Sequence, residues 1–186
     1  MSFVGLRVPH ETARLLGGLE VPGKKEPTSS FHITMFYLGD EVPIQALIKA
    51  IEVTFEITTE TKPFTVRTSQ VTSFPPGDDG RPIICRVESD ALHDLRDKIR
   101  EAYEAAKVEF SNTYPEYKPH VTLAYDTKGE EEFAEQRIPT VEWGAHELVL
   151  WGGDEGDDKL VVSFPFVLGD LDKAAARIAH RYMRSL

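Results

Sequence analysis

The sequence predicts a mixed fold of β-strands and amphipathic helices, built as one globular domain or as two small lobes sharing a cleft. Three observations carry this expectation. A chain of 186 residues is long enough to bury a sizeable core. Apolar residues at helical spacing alternate along it with short strand-like runs closed by Gly, Pro and Asp. A His-apolar-Thr-apolar tetrapeptide occurs twice, at 32–35 and 120–123, each time on an apolar run and once in each half.

Residues 2 to 8 alternate well enough for a strand, and Pro9 opens a short helix to about Leu16, ended by Gly17-Gly18. A polar loop from Pro22 to Ser30 leads into a buried strand, Phe31 to Leu38, closed by Gly39-Asp40. Pro43 suits a first helical position, and Ile44, Leu47, Ile48, Ile51 and Phe55 form an apolar stripe after it. Phe64 to Val71 and Pro82 to Val87 read as strands around a turn or flap at Phe74 to Gly80. Ser89 is placed to N-cap a long helix with Leu92, Leu95, Ile99, Tyr103 and Ala106 on one face.

The second half repeats the order more loosely. The strand His120 to Tyr125 is followed by a short acidic helix expected near Glu130 to Arg137. Two final strands, about His146 to Trp151 and Leu160 to Val167, flank an acidic turn, Gly152 to Asp158, that lacks the ligand spacing of a calcium loop. Residues 1–168 are therefore expected to form the domain. A separate amphipathic helix follows over 169–186, with Leu171, Ala175, Ile178, Tyr182 and Leu186 as its apolar stripe. Its Lys173, Arg177, Arg181 and Arg184 leave open whether it packs on its own domain or touches a membrane or partner.

Composition narrows the function. Acidic residues outnumber basic ones 31 to 21, for a net charge of −10, which argues against a grip on long nucleic acid. A short or cyclic nucleotide in a local pocket remains compatible. No run approaches the roughly 20 apolar residues of a membrane span. The opening Met1 to Arg7 has no signal-peptide core, and Cys85 is the single cysteine, so a cytoplasmic monomer without disulfides is expected.

The repeated tetrapeptide carries the chemistry. Strand side chains alternate between faces, so His32 and Thr34 project together while Ile33 and Met35 anchor the strand in a core. His120 and Thr122 do the same against Val121 and Leu123. Phosphodiester cleavage needs one proton removed from the attacking oxygen and one delivered to the leaving oxygen. Two histidines titrating near neutrality can divide these tasks, each contributing about 10²–10⁴-fold. The threonine hydroxyls and nearby backbone N–H groups can stabilise the non-bridging oxygens. This arrangement calls for no metal and no cofactor, and His32 and His120 supply only two of the three or four ligands a zinc site needs.

The two segments, Phe31-His32-Ile33-Thr34-Met35-Phe36-Tyr37-Leu38-Gly39 and Tyr117-Lys118-Pro119-His120-Val121-Thr122-Leu123-Ala124-Tyr125, resemble the 2H phosphoesterase superfamily. That superfamily includes bacterial RNA 2′,5′-ligase-like (LigT-like) cyclic phosphodiesterases and several viral nucleotide phosphodiesterases. The likeness spans roughly residues 2 to 168. It implies a bilobal α+β fold of two pseudo-symmetric antiparallel-sheet lobes, with outer helices and the motifs facing across a central cleft. It also implies one histidine as base and the other as acid, with the threonines holding phosphate. Ligase-like members often carry Arg where this chain has Tyr125, so a cation for the phosphate is sought at Lys118, Arg81 or Arg7.

Trp151, Tyr117, Tyr125 and Phe74 are candidates for stacking on a base, Trp151 first because it ends a strand at an open turn, and Tyr37 is a further candidate for substrate binding. Cys85 reads as a buried thiol and His93 as solvated, while His10, His146 and His180 lack any partner pattern. The expected activity is hydrolysis or ring-opening of a phosphodiester in a small nucleotide. The substrate is a 2′,3′-cyclic phosphate, a short 2′-5′ oligonucleotide or a cyclic oligonucleotide signal. The resemblance extends this to a viral enzyme that destroys an immune nucleotide signal. The rival expectation is a nucleotide- or phosphate-binding module on the same fold, and a weaker third is a targeting module acting through the terminal helix.

Overall fold

The computed structural model describes residues 1–113, 116–127, 133–152 and 160–167. Its elements in chain order are β1 (Ser2–Arg7), α1 (His10–Gly17), β2 (Lys24–Lys25), β3 (His32–Gly39), α2 (Ile44–Thr58), β4 (Phe64–Ser73), β5 (Arg81–Glu88), α3 (Asp90–Ala106), β6 (His120–Asp126), β7 (Gln136–Arg137), β8 (Glu142–Ala145), β9 (Glu147–Gly152) and β10 (Leu160–Pro165). They form two antiparallel sheets. The first is ordered β10-β9-β1-β3; the second is ordered β2-β6-β5-β4-β7, with β8 also pairing β4. The expected α+β fold with two sheet lobes is what the chain adopts.

The lobes are not the two halves of the chain. Strands β9 and β10 return from the C-terminal part to complete the first sheet, and β2 crosses from the N-terminal part to pair with β6. What repeats is a unit of strand, helix and motif strand. In one copy β1 pairs with β3 across α1, and in the other β5 pairs with β6 across α3. One buried cluster joins them, running from Val4, Leu6, Ile33 and Phe36 to Val71, Ile83, Cys85 and Val121.

Gly5 shows how closely the first pair is drawn together. A Cβ there would sit 2.3 Å from the carbonyl oxygen of Ile33, so any side chain would push β1 off β3 opposite Thr34.

Helix α3 buries Leu92, Leu95, Ile99 and Tyr103 as the spacing predicts, and adds Arg96 to the buried face. Ser89 stands at its N-cap, but its Oγ donates to the Thr65 carbonyl at 2.8 Å rather than capping the helix. Helix α2 departs from the expected stripe: Ile44 and Ile48 are exposed, and Leu47, Ala50, Thr54 and Thr58 face inward. The buried threonine there is satisfied, because the Thr54 and Tyr103 hydroxyls bond at 2.7 Å where α2 packs on α3.

Two short strands, β2 and β8, lie where the sequence shows loops. The described end of the expected acidic helix, Phe133 to Arg137, is not helical: Gln136 and Arg137 pair with Val71 and Gln70 at the edge of the second sheet. Pairing across a long sequence gap overrides weak local helix preference here. The rest of that segment, most of the acidic turn and the terminal helix expected over 169–186 lie outside the described residues. Among those residues no helix is long and apolar enough to cross a membrane.

Candidate active site

The motif strands β3 and β6 approach each other where the two sheets meet. Along each, burial alternates as strand geometry requires. Ile33, Met35, Val121 and Leu123 are buried, whereas His32, Thr34, His120 and Thr122 are partly accessible on the other face. The pairing fills in the floor of the groove. Thr34 lies across Gly5 from Val149, and Thr122 lies across from Ile84. Val149 and Ile84 are fully buried yet stand outside the main core cluster, so each gives its threonine an apolar neighbour on the same sheet face.

Each imidazole is clamped in the same way. Nδ1 of His32 lies 2.6 Å from the Ser30 carbonyl oxygen, and Nδ1 of His120 lies 2.7 Å from that of Lys118. A carbonyl only accepts, so each Nδ1 carries its proton and donates it. Nε2, across the ring, is then the nitrogen that exchanges protons with whatever enters the groove. The two rings are close enough for their charges to interact. Burial holds His120 below the ordinary histidine range, the Lys118 carbonyl partly offsets this, and the neighbouring His32 lowers it further.

The surroundings differ. The His32 ring lies 4.6 Å from the Phe3 ring and 5.7 Å from that of Trp151, and Phe3 and Trp151 stack at 4.8 Å. The Arg7 guanidinium lies 5.6 Å from the Trp151 ring centre. His120 instead stands perpendicular to the ring of Phe74, with ring centres 4.8 Å apart, where the flap between β4 and β5 folds back.

Of the other residues singled out from sequence, the structure brings some to this groove and uses others elsewhere. Tyr125 shares a hydrogen bond with Thr122, and burial is the main reason its phenol is raised, helped by Glu26 and Asp79. Trp151 and Arg7 lie on the His32 side as described. Lys118 takes part through its carbonyl, while its ammonium pairs with Glu116 at 2.9 Å. Arg81 braces the flap, its Nη1 donating to the Phe74 carbonyl at 3.4 Å. Tyr37 bonds the Asp40 carboxylate beyond the end of β3, and that bond raises its pKa. Tyr117 packs inward against Arg96 and His93. Burial pushes the Cys85 thiol up to about 12, which leaves it protonated and inert. Among the described residues no three His, Cys, Asp or Glu side chains converge as metal ligands.

Sequence reasoning missed Phe3 and Arg86. Phe3 stands directly across from Trp151 and against His32, and Arg86 directly across from His120. Both are assigned by strand register, which no local pattern of residues specifies.

Two His-x-Thr strands, each backed by its own antiparallel sheet and brought together at one groove, define the 2H phosphoesterase fold. A sequence model of the 2'-5' RNA ligase superfamily matches residues 20–157, more than half of the chain, and the chain belongs to that family. No curated protein matches it in sequence. Among solved structures it is similar to TT0787 of Thermus thermophilus, with a TM-score of 0.73 at 20% identity over 89% of this chain and 97% of that one. E. coli LigT complexed with NADP+ gives a TM-score of 0.64 at 14% identity, over 89% and 96% of the two chains. The MHV ns2 PDE domain gives 0.51 at 12%, over 77% and 98%. At such identities these likenesses show the fold.

Proposed function

We propose that the chain is a metal-independent phosphodiesterase that cleaves or ring-opens a phosphodiester in a small nucleotide, with His32 and His120 as its acid–base pair. One observation carries this reading: both imidazoles spend Nδ1–H on a carbonyl two residues back and are left with Nε2 for proton transfer at a shared groove. The family suggests phosphodiesterase activity. E. coli LigT has been seen complexed with 3'-AMP, ATP and phosphate, which supports a small nucleotide as the ligand here.

His120, kept neutral by burial, accepts the proton of the attacking hydroxyl or water on Nε2 as the new P–O bond forms. His32, entering as imidazolium, gives its Nε2 proton to the leaving oxygen as the old P–O bond breaks. The Thr34 and Thr122 hydroxyls donate to the non-bridging oxygens, Thr122 oriented by Tyr125. The cycle ends with the protons exchanged between the rings, and solvent resets them. Trp151 offers the base a stacking face. The catalytic unit in this reading is residues 1–168.

The test is turnover, in EDTA, of a panel of 2′,3′-cyclic nucleotides, 2′-5′ oligoadenylates and cyclic oligonucleotides. His32→Ala and His120→Ala are each expected to lose at least about 10²-fold in kcat with unchanged melting curves. Cleavage undiminished in both variants would sink the proposal. Recovery of every ligand bound but uncleaved by the unaltered protein would make it a binding module.

A further inference from the structure

Directly opposed residues on antiparallel strands share a face, with Cβ atoms about 4.5–5.5 Å apart. The residue opposed to His32 is Arg7, and the residue opposed to His120 is Arg86. Burial confirms the face: Leu6 and Ile33 beside the first pair, and Cys85, Val87 and Val121 beside the second, all point into the core. Both arginines therefore stand on the groove side, and both are exposed.

Strands β1 and β5 lie outward of β3 and β6, so the order across the groove is Arg7, His32, His120, Arg86. Each guanidinium springs from a strand about 4.7–4.9 Å beyond its histidine. That places it outside the phosphate the two imidazoles would bracket. Among the described residues neither arginine has a carboxylate within ion-pair distance, although the chain carries a net charge of −10. Two cations without an acidic partner among the described residues, each set beside one histidine of the pair, are a local invitation to anions. The planar guanidinium fork matches phosphate oxygens in pairs.

We infer that Arg7 and Arg86 are subsites for the two phosphates that flank the scissile one, so that the preferred substrate is a short oligonucleotide, linear or cyclic, with three successive phosphates. The inference rests on the catalytic reading above for which phosphate is central, but its binding consequence can be measured without turnover. The acidic remainder of the surface would repel phosphates further out, which limits the length of the ligand.

The experiment is calorimetric binding of AMP, pApA and pApApA to the unaltered protein and to Arg7→Gln and Arg86→Gln, with 2′,3′-cyclic AMP turnover followed in parallel. Affinity is expected to rise with each added phosphate. Each substitution is expected to weaken pApApA by about tenfold or more and AMP by less than about threefold. Equal affinity of the unaltered protein for AMP and pApApA, or equal losses for both ligands in the variants, would overturn the inference, as would failure of all three to bind. A binding ladder without turnover would leave the subsites standing and remove the catalytic reading. Turnover of the cyclic mononucleotide without a ladder would do the reverse.

Discussion

His32 and His120 occupy equivalent places in two sheets, in the same tetrapeptide and with the same carbonyl clamp on Nδ1, but their neighbours differ. His32 belongs to a ladder of flat groups, Phe3, Trp151 and Arg7, that gives its side of the groove an aromatic and cationic wall. His120 instead stands perpendicular to the ring of Phe74, and burial holds it below its ordinary pKa. A duplicated motif thus supplies two like imidazoles, and in the proposed mechanism the unlike surroundings separate their roles. Enclosure favours the neutral base, and the open wall favours contact with the rest of a nucleotide.

One side chain touches both motif segments from behind. Arg96 of α3 donates from Nε to the Met35 carbonyl at 3.4 Å, lies 5.2 Å from the Phe36 ring centre, and lies 4.5 Å from that of Tyr117, three residues before His120. Burial lowers its pKa, although the adjacent Tyr117 works the other way. If Arg96 fixes the spacing of the two histidines, Arg96→Met should cost about 1–4 kcal/mol in stability from two cation–π contacts at roughly 0.5–2 kcal/mol each. It should also lower kcat by tenfold or more at temperatures where the variant stays folded, with KM little changed. A chemical melt paired with steady-state kinetics checks this. Loss of stability with full kcat would reduce Arg96 to packing.

An effect confined to binding probes the His32 side alone. Trp151→Ala should weaken nucleotide binding by about 5–150-fold, the worth of one base–aromatic stack at roughly 1–3 kcal/mol. Inorganic phosphate, having no base, should bind the variant and the unaltered protein alike. Isothermal titration with AMP and with phosphate distinguishes a stacking face from a wall that merely shapes the site.

The sequence and the structure agree best where the information is local. Alternation alone sets His32 and Thr34 opposite Ile33 and Met35, and burial follows it over these four residues of β3. The same holds for His120 to Leu123 in β6. The apolar spacing of α3 also reads directly, except that Arg96 sits among its buried residues because two aromatic rings receive it. What is not legible depends on pairing between distant segments. Arg86 comes beside His120 through the β5–β6 register, and Phe3 beside Trp151 through β1–β9, a strand pair whose members lie at opposite ends of the chain. Likewise Lys24-Lys25 and Glu142–Ala145 carry weak strand signals and become strands because an edge is there to receive them.

The finest distinction between the two histidines should appear in the pH profile. As the base, His120 must be neutral, so kcat/KM is expected to fall as pH drops through its pKa in the free enzyme. Burial lowers that pKa, so the acid limb should lie below the ordinary value of about 6.5. Phe74→Ala would open the enclosed ring to water, relieve part of the desolvation, and move the acid limb up toward that value. Trp151→Ala, on the other side of the groove, should leave the limb where it is. A profile of kcat/KM from pH 4 to 8 for the three proteins reads this directly. An acid limb that moves with Trp151 and not with Phe74 would exchange the assignments, making His32 the base and His120 the acid.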